Sequence, residues 1–282
     1  MKRHFLLRKS YIGLVMAFLY APIAVLIVFS FNSSKSRALW TGFTLDWYKK
    51  MFTNDVIISS LVNTLIIAVI SALIATVLGT LAAIGINAMG KWFKSAVLNL
   101  TYMPIINPEI VTGVSLMLLF VSFQSMLHKI NDIFGTNMSF EFGLTTLILA
   151  HITFSIPYVI LNVIPKLRQM DKHIYDAALD LGCSPYRAFI KVVIPEIMPG
   201  IISGMLMAFT FSLDDFIISY FVAGPSFSTL PITIYAMTRK KVSPEINALS
   251  TVVFIVVLAT LTASNYVTSK KEQKLRGEKS FK

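Results

Sequence analysis

The sequence predicts an all-α integral membrane protein with six transmembrane helices. Three observations lead there: composition, the spacing of charge, and the asymmetry of Lys and Arg between alternate loops. Of 282 residues, 55% are hydrophobic and only 14% charged, and the mean hydropathy is +0.71. Soluble domains carry roughly 25% charged residues. Disorder is excluded by the same composition, and collagen-like or disulfide-stapled scaffolds by 13 Gly, 11 Pro and one Cys. The net charge of +11 reads as basic loops facing one side of a membrane, and nucleic acid is not an expected partner.

Charge-free windows place the spans. No Asp, Glu, Lys or Arg interrupts the stretches between Lys9 and Lys35, Asp55 and Lys91, Glu141 and Lys166, or Glu245 and Lys270. Lys94 to Lys129 holds only Glu109, and Lys191 to Arg239 holds only Glu196, Asp214 and Asp215. A helix crossing ~30 Å of hydrocarbon needs about 20 apolar residues, and backbone groups in lipid must be bonded within their own segment. The expected spans are 11–31, 60–86, 96–123, 143–165, 197–222 and 246–268, in a single membrane domain over 1–282. The first span is too long for a signal-peptide core and no A-x-A site follows it, so a retained anchor is expected. With six spans, the loops on the side of the termini carry 17 basic residues against 8 on the other. Both termini are therefore expected in the cytoplasm. The basic tail from Lys270 to Lys282 is expected against anionic lipid.

Catalytic signatures do not emerge. The four His are scattered, and H-E-x-x-H, C-x-x-C and G-x-S-x-G do not occur. Gly85–Lys91 fits G-x-x-x-x-G-K, but Trp92 stands where a magnesium-binding hydroxyl is needed. The chain is expected not to be an enzyme, and to bind no metal, nucleotide or other cofactor itself. Whatever drives it is expected to be an ion gradient, another chain, or nothing.

The longest inner loop, 166–196, is unusually structured. Asp171 can cap a helix over 172–181, Gly182 supplies a left-handed ending, and Ser184-Pro185 starts the next helix. Ala177, Ala178 and Gly182 give the first helix a small-residue surface beside Asp176 and Asp180. Asp176-Ala-Ala-Leu-Asp-Leu-Gly182, followed by Val192-Val-Ile-Pro195, resembles the E-A-A-x-x-x-G-x9-I-x-L-P loop. That loop marks permease subunits of bacterial ATP-binding-cassette importers. Asp stands for the family's Glu, Val for its Ile and Ile for its Leu. The resemblance implies the type I importer permease (MetI-like) fold and a coupling role for Asp176, Ala177, Ala178 and Gly182. It also implies a homologous second permease, two ATPase subunits that hold the ATP and magnesium, and an extracytoplasmic substrate-binding protein.

Isolated acids in the spans are costly, by at least ~2.5 kcal/mol each on insertion scales, and mark candidate transport paths. Glu109 lies between 14 and 19 uncharged residues and follows Asn107-Pro108. Asp214 and Asp215 follow 17 uncharged residues and precede 23. Adjacent residues point about 100° apart on a helix, so both line one lumen only if the helix is distorted. Aromatics nearby, including Phe211, Phe216 and Tyr220, suit an organic cation. Helix capping and interhelical bonding are the plainer alternatives for these acids. Phe31-Asn-Ser-Ser34, Asn107-Pro-Glu-Ile-Val111, His151-Ile-Thr-Phe154, Ser212-Leu-Asp-Asp-Phe216 and Ser243-Pro-Glu-Ile-Asn-Ala248 resemble, in this order, permease subunits of spermidine/putrescine importers. The similarity implies a polyamine substrate, with Asp214, Asp215, Glu109 and Tyr220 on its path. Two alternatives stand beside it: an importer permease for another small solute, and an ion-coupled secondary transporter, which would need inverted repeats. The loop 223–245, with Arg239, Lys240 and Lys241, is a candidate contact for the binding protein.

Overall fold

The computed structural model describes residues 2–34, 39–240, 244–259 and 262. The basic tail, Lys241, Ser243 and the end of the sixth predicted span lie outside the described residues. Twelve helices run α1 (Lys2–Phe29), α2 (Asp46–Thr53), α3 (Asp55–Ala88), α4 (Lys91–Ile106), α5 (Glu109–Phe134), α6 (Leu144–Gln169), α7 (Lys172–Asp180), α8 (Pro185–Ala188), α9 (Ile194–Asp214), α10 (Ile217–Val222), α11 (Leu230–Lys240) and α12 (Pro244–Ala259) among the described residues. A π-helical turn, Phe189–Val193, joins α8 to α9. Five segments are long and apolar enough to cross a membrane: Lys9–Phe29, Asp55–Ala88, Glu109–Phe134, Leu144–Gln169 and Pro185–Asp214. The described part of the sixth is α12.

Two spans differ from expectation. The third is not one helix over 96–123. It is α4 and α5, separated at Asn107-Pro108, because Pro108 has no N–H to continue the ladder and disfavours helical geometry in Asn107. The fifth starts earlier and stops earlier than 197–222: α9 ends at Asp214 and a separate short α10 follows. The π turn before α9 has its own cause. Pro195 would clash with the carbonyl four residues back, and widening the turn, with Ile194 N–H reaching Phe189 C=O, accommodates it.

The described residues form two compact units, one drawn from 1–59 and 233–259, the other chiefly from 60–232. In the first, buried Asn32 organises the segment after α1. Its Nδ2 donates to the Leu39 carbonyl (2.8 Å), its Oδ1 accepts from Thr41 N–H (3.1 Å), and its carbonyl accepts from Trp47 Nε1 (2.7 Å). Trp47 is thereby buried, unlike an interfacial anchor.

The second unit is built around α6. One apolar cluster joins Val159, Val163 and Leu167 of α6 to Ala83 and Ile86 of α3 and Ile197 of α9. Another, nearer the start of α6, joins Leu147 and Ala150 to Leu116 and Phe120 of α5 and Ile218 and Val222 of α10. Gly200 and Gly204 let α9 lie directly on α6. A Cβ on Gly200 would sit 2.7 Å from the Asn162 carbonyl oxygen and 2.8 Å from Lys166 Cγ. Small residues four apart are how membrane helices achieve such approach. Gly200→Val is expected to destabilise the chain by about 1–3 kcal/mol through overpacking, read as a lowered midpoint of thermal unfolding in detergent; an unchanged midpoint would contradict the close contact.

Candidate functional site

The breaks in the third and fifth spans face each other across one cavity of about 390 Å³. Pro104 at the end of α4, Glu109 and Thr112 at the start of α5, Phe154 and Tyr158 on α6, and Phe211 with Asp214 to Ile218 around the α9–α10 break line it. Depth follows from helix rise. Phe154 and Tyr158 lie ten and fourteen residues into the 26-residue α6, about 15 and 21 Å below its start in a helix about 39 Å long. The cavity therefore occupies the middle of a membrane-crossing helix, where irregular backbone is tolerated only beside protein or water.

Glu109, Asp214 and Asp215 all line this cavity. The two Asp share it because α9 ends between them and the expected 100° divergence does not apply: Asp215 is extended, with φ −61° and ψ 120°. Their surroundings differ. The Asp215 side chain is 5% exposed. It accepts from Ile218 N–H (3.3 Å), Ser219 N–H (2.7 Å) and the Ser219 hydroxyl (2.7 Å), capping α10. Asp214 and Glu109 are exposed on the cavity wall. Glu109 stands in the first turn of α5, where the helix dipole favours a carboxylate. Each break brings one carbonyl end (α4, α9) and one amide end (α5, α10) to the cavity, so the helix dipoles offset and the carboxylates set its charge. Tyr158 and Phe211 form one aromatic wall, with ring centroids 4.4 Å apart.

Tyr220 does not line the cavity. It is exposed and stacks on Phe216, which does, at 5.5 Å between centroids. Tyr158 was not singled out in the sequence; Phe154 and His151, which bonds Ser212 and Ser219, stood there only within a resemblance string, with no site role. Their signal was available: 151, 154 and 158 follow the i, i+3, i+7 spacing of one helix face.

The second candidate site is the segment between α6 and α9. Asp171 caps α7, its carboxylate accepting from His173 N–H at 3.0 Å. Gly182, at φ 85°, ends it in a Schellman motif: Gly182 N–H donates to Leu179 C=O (2.8 Å) and Cys183 N–H to Ala178 C=O (3.1 Å). Ser184 stands at the start of α8 with Pro185 following, but its side chain makes no capping bond. Tyr175 packs α7 onto the α3–α6–α9 core. Asp176, Ala177 and Gly182 are exposed and Ala178 half-buried. Beside them, Leu181 is 86% and Tyr186 74% exposed. A short, firmly capped helix thus presents small and apolar residues outward.

A family model for the binding-protein-dependent transport system inner membrane component matches residues 75–273. The chain belongs to this family. Among curated relatives of this inner membrane component, the spermidine/putrescine transport system permease protein PotC of Haemophilus influenzae is 35% identical over 266 residues, covering 94% of this chain and 98% of its own. The putrescine transport system permease protein PotI of Escherichia coli K12 is 40% identical over 239 residues, 84% of this chain and 81% of its own. Among solved structures, a chain of a bacterial transporter importing alginate superposes with a TM-score of 0.72 at 20% identity, covering 95% of this chain and 96% of that one. A chain of the methionine ABC transporter MetNI superposes at 0.56 with 17% identity, covering 77% and 99%. The fold is the all-α, MetI-like fold of ABC importer permeases, in a multi-pass membrane protein.

Proposed function

We propose that this inner membrane component is a permease subunit of an ATP-driven importer of polyamines, spermidine or putrescine. The observation that carries the substrate class is the mid-helix cavity, lined by three carboxylates and by the aromatic rings of Tyr158 and Phe211. Alkylammonium groups pair with carboxylates and lie over aromatic faces, and a methylene spacer tolerates apolar walls. PotC and PotI carry the same substrate class in their names. Glu109 and Asp214 would hold the ammonium groups, Asp215 would shape the break, and Tyr220 would act through Phe216.

This reading brings partners with it. The α7 segment would face the cytoplasm, with both termini, and dock through Asp176, Ala177, Ala178 and Gly182 into one of two ATPase subunits. ATP and magnesium would be bound there, not on this chain. A homologous second permease would complete the passage, and a binding protein would deliver substrate from outside; one solved alginate transporter is in complex with such a periplasmic protein. Arg239 belongs to the candidate contact for it. ATP binding would drive the α7 segments, and the helices would alternate the cavity between the two faces of the membrane.

The test is uptake by vesicles carrying this chain, its partner permease and the ATPases, with binding protein outside and ATP inside. Accumulation of labelled putrescine or spermidine that requires ATP is expected. Uptake by this chain alone, driven by a proton or sodium gradient, would overturn the reading.

A further inference from the structure

Beneath the cavity a buried polar chain crosses the break in the fifth span. Ser71 of α3, Ser212 of α9, His151 of α6 and Ser219 of α10 are each no more than 2% exposed. Ser71 Oγ lies 3.1 Å from Ser212 Oγ. Ser212 Oγ meets His151 Nδ1. His151 Nε2 lies 3.0 Å from Ser219 Oγ and 3.5 Å from Asp215 Oδ2. Buried polar groups of this kind are retained only when satisfied, and a satisfied network fixes one arrangement of the elements it joins.

The donor directions follow from Asp215. As a carboxylate it only accepts, so the Ser219 hydroxyl, at 2.7 Å, donates to it. Ser219 Oγ then accepts from Nε2–H, which leaves Nδ1 as an acceptor for the Ser212 hydroxyl. Ser71 has one proton for two acceptors, Ser212 Oγ and the Ile67 carbonyl at 2.6 Å. All five groups are satisfied with His151 neutral and protonated on Nε2.

Ser212 belongs to the last turn of α9 and Ser219 to the first turn of α10. Neither Pro nor Gly stands between them. Asp215 caps the start of α10 but no residue here is barred from helical geometry, whereas Pro108 breaks the ladder at Asn107-Pro108 without help. We infer that His151 is a positioning residue: its two ring nitrogens splint the α9–α10 break, holding Asp215 in its capping geometry and so turning Asp214 toward the cavity. Because the break sits at the cavity, the splint sets the alignment of the carboxylates relative to α5 and links movement of α9 to movement of α10.

The inference rests on the importer reading, and its test uses the whole complex in vesicles. The readout is polyamine taken up per ATP hydrolysed, beside the binding-protein concentration giving half-maximal uptake. His151→Leu keeps bulk but makes no hydrogen bond; it is expected to lower the uptake-to-hydrolysis ratio about tenfold, leaving the half-maximal concentration within about twofold because the delivery surface is untouched. His151→Gln, which can still donate to Ser219, is expected to recover part of the ratio. Ser219→Ala is expected to reproduce the loss, and His151→Leu with Ser219→Ala to be no worse than the more severe single change, since one unit is broken once. A ratio within twofold of the unaltered complex for His151→Leu, or losses that multiply in the double variant, would overturn the splint. Should His151→Leu fail to reach the membrane, Ser212→Ala and Ser219→Ala decide, and normal ratios for both would overturn it. Failure of the unaltered complex to take up polyamine with ATP would instead strike the importer reading.

Discussion

Gly182→Arg is expected to abolish uptake while leaving the chain in the membrane with its helices packed. Two effects act together. At φ 85° an L side chain is held in left-handed geometry at about 1–2 kcal/mol, which loosens the Schellman ending of α7. The larger effect is steric. A Cβ at Gly182 meets nothing within 4 Å in the isolated chain, so the space it faces is what a docking partner would occupy. A long cation there is expected to reduce co-purification with the ATPase, or to leave ATP hydrolysis running without uptake. Gly182→Asn separates the two effects, since Asn tolerates left-handed geometry; it is expected to keep much of the uptake that Gly182→Arg loses. Uptake by Gly182→Arg equal to the unaltered complex would contradict a docking role.

The second large effect is expected at Asp214. Asp214→Asn removes a charge that the cavity offers openly, without disturbing the cap of α10. The rate of polyamine uptake is expected to fall at least about tenfold, the loss of one charge-assisted contact. Asp215→Asn is expected to lower uptake as well, but with a signature Asp214→Asn lacks. Both Asp215 carboxylate oxygens accept, one from Ile218 N–H and the other from Ser219, and an amide keeps only one acceptor, so the chain should lose about 1 kcal/mol of stability, read as a midpoint of thermal unfolding lower by a few degrees. Uptake measured with labelled putrescine, beside thermal unfolding in detergent, distinguishes the two. Unchanged uptake in Asp214→Asn would remove that carboxylate from the path.

The parts of this architecture visible in the sequence are those fixed locally. Asp171, Gly182 and Pro185 each dictate backbone geometry within a turn of themselves, and α7 forms where they place it. Charge-free windows found the membrane segments because burial in lipid excludes charge. Those windows report partition, not helix continuity, so the break at Asn107-Pro108 vanished inside an expected span of 96–123 although Pro108 announced it. The break after Asp214 had only a weak local sign, the capping residue Asp215, with no Pro or Gly beside it. It is held from α6, by a His that looked isolated in the chain and meets its partners only across 61 and 68 residues of sequence. The gathering of Glu109, Asp214 and the aromatic wall at one cavity is likewise a product of packing, created where two interrupted helices meet a third.

The central claim is that a separate motor in the cytoplasm drives this chain through the α7 segment. Cys183, the chain's single cysteine and exposed directly beside Gly182, allows that to be tested without altering the sequence. A short photo-activated cross-linker attached to Cys183 in the assembled complex is expected to yield an adduct between this chain and an ATPase subunit, formed at the inner face of the membrane. An adduct with the external binding protein instead, or none with any ATPase, would contradict it.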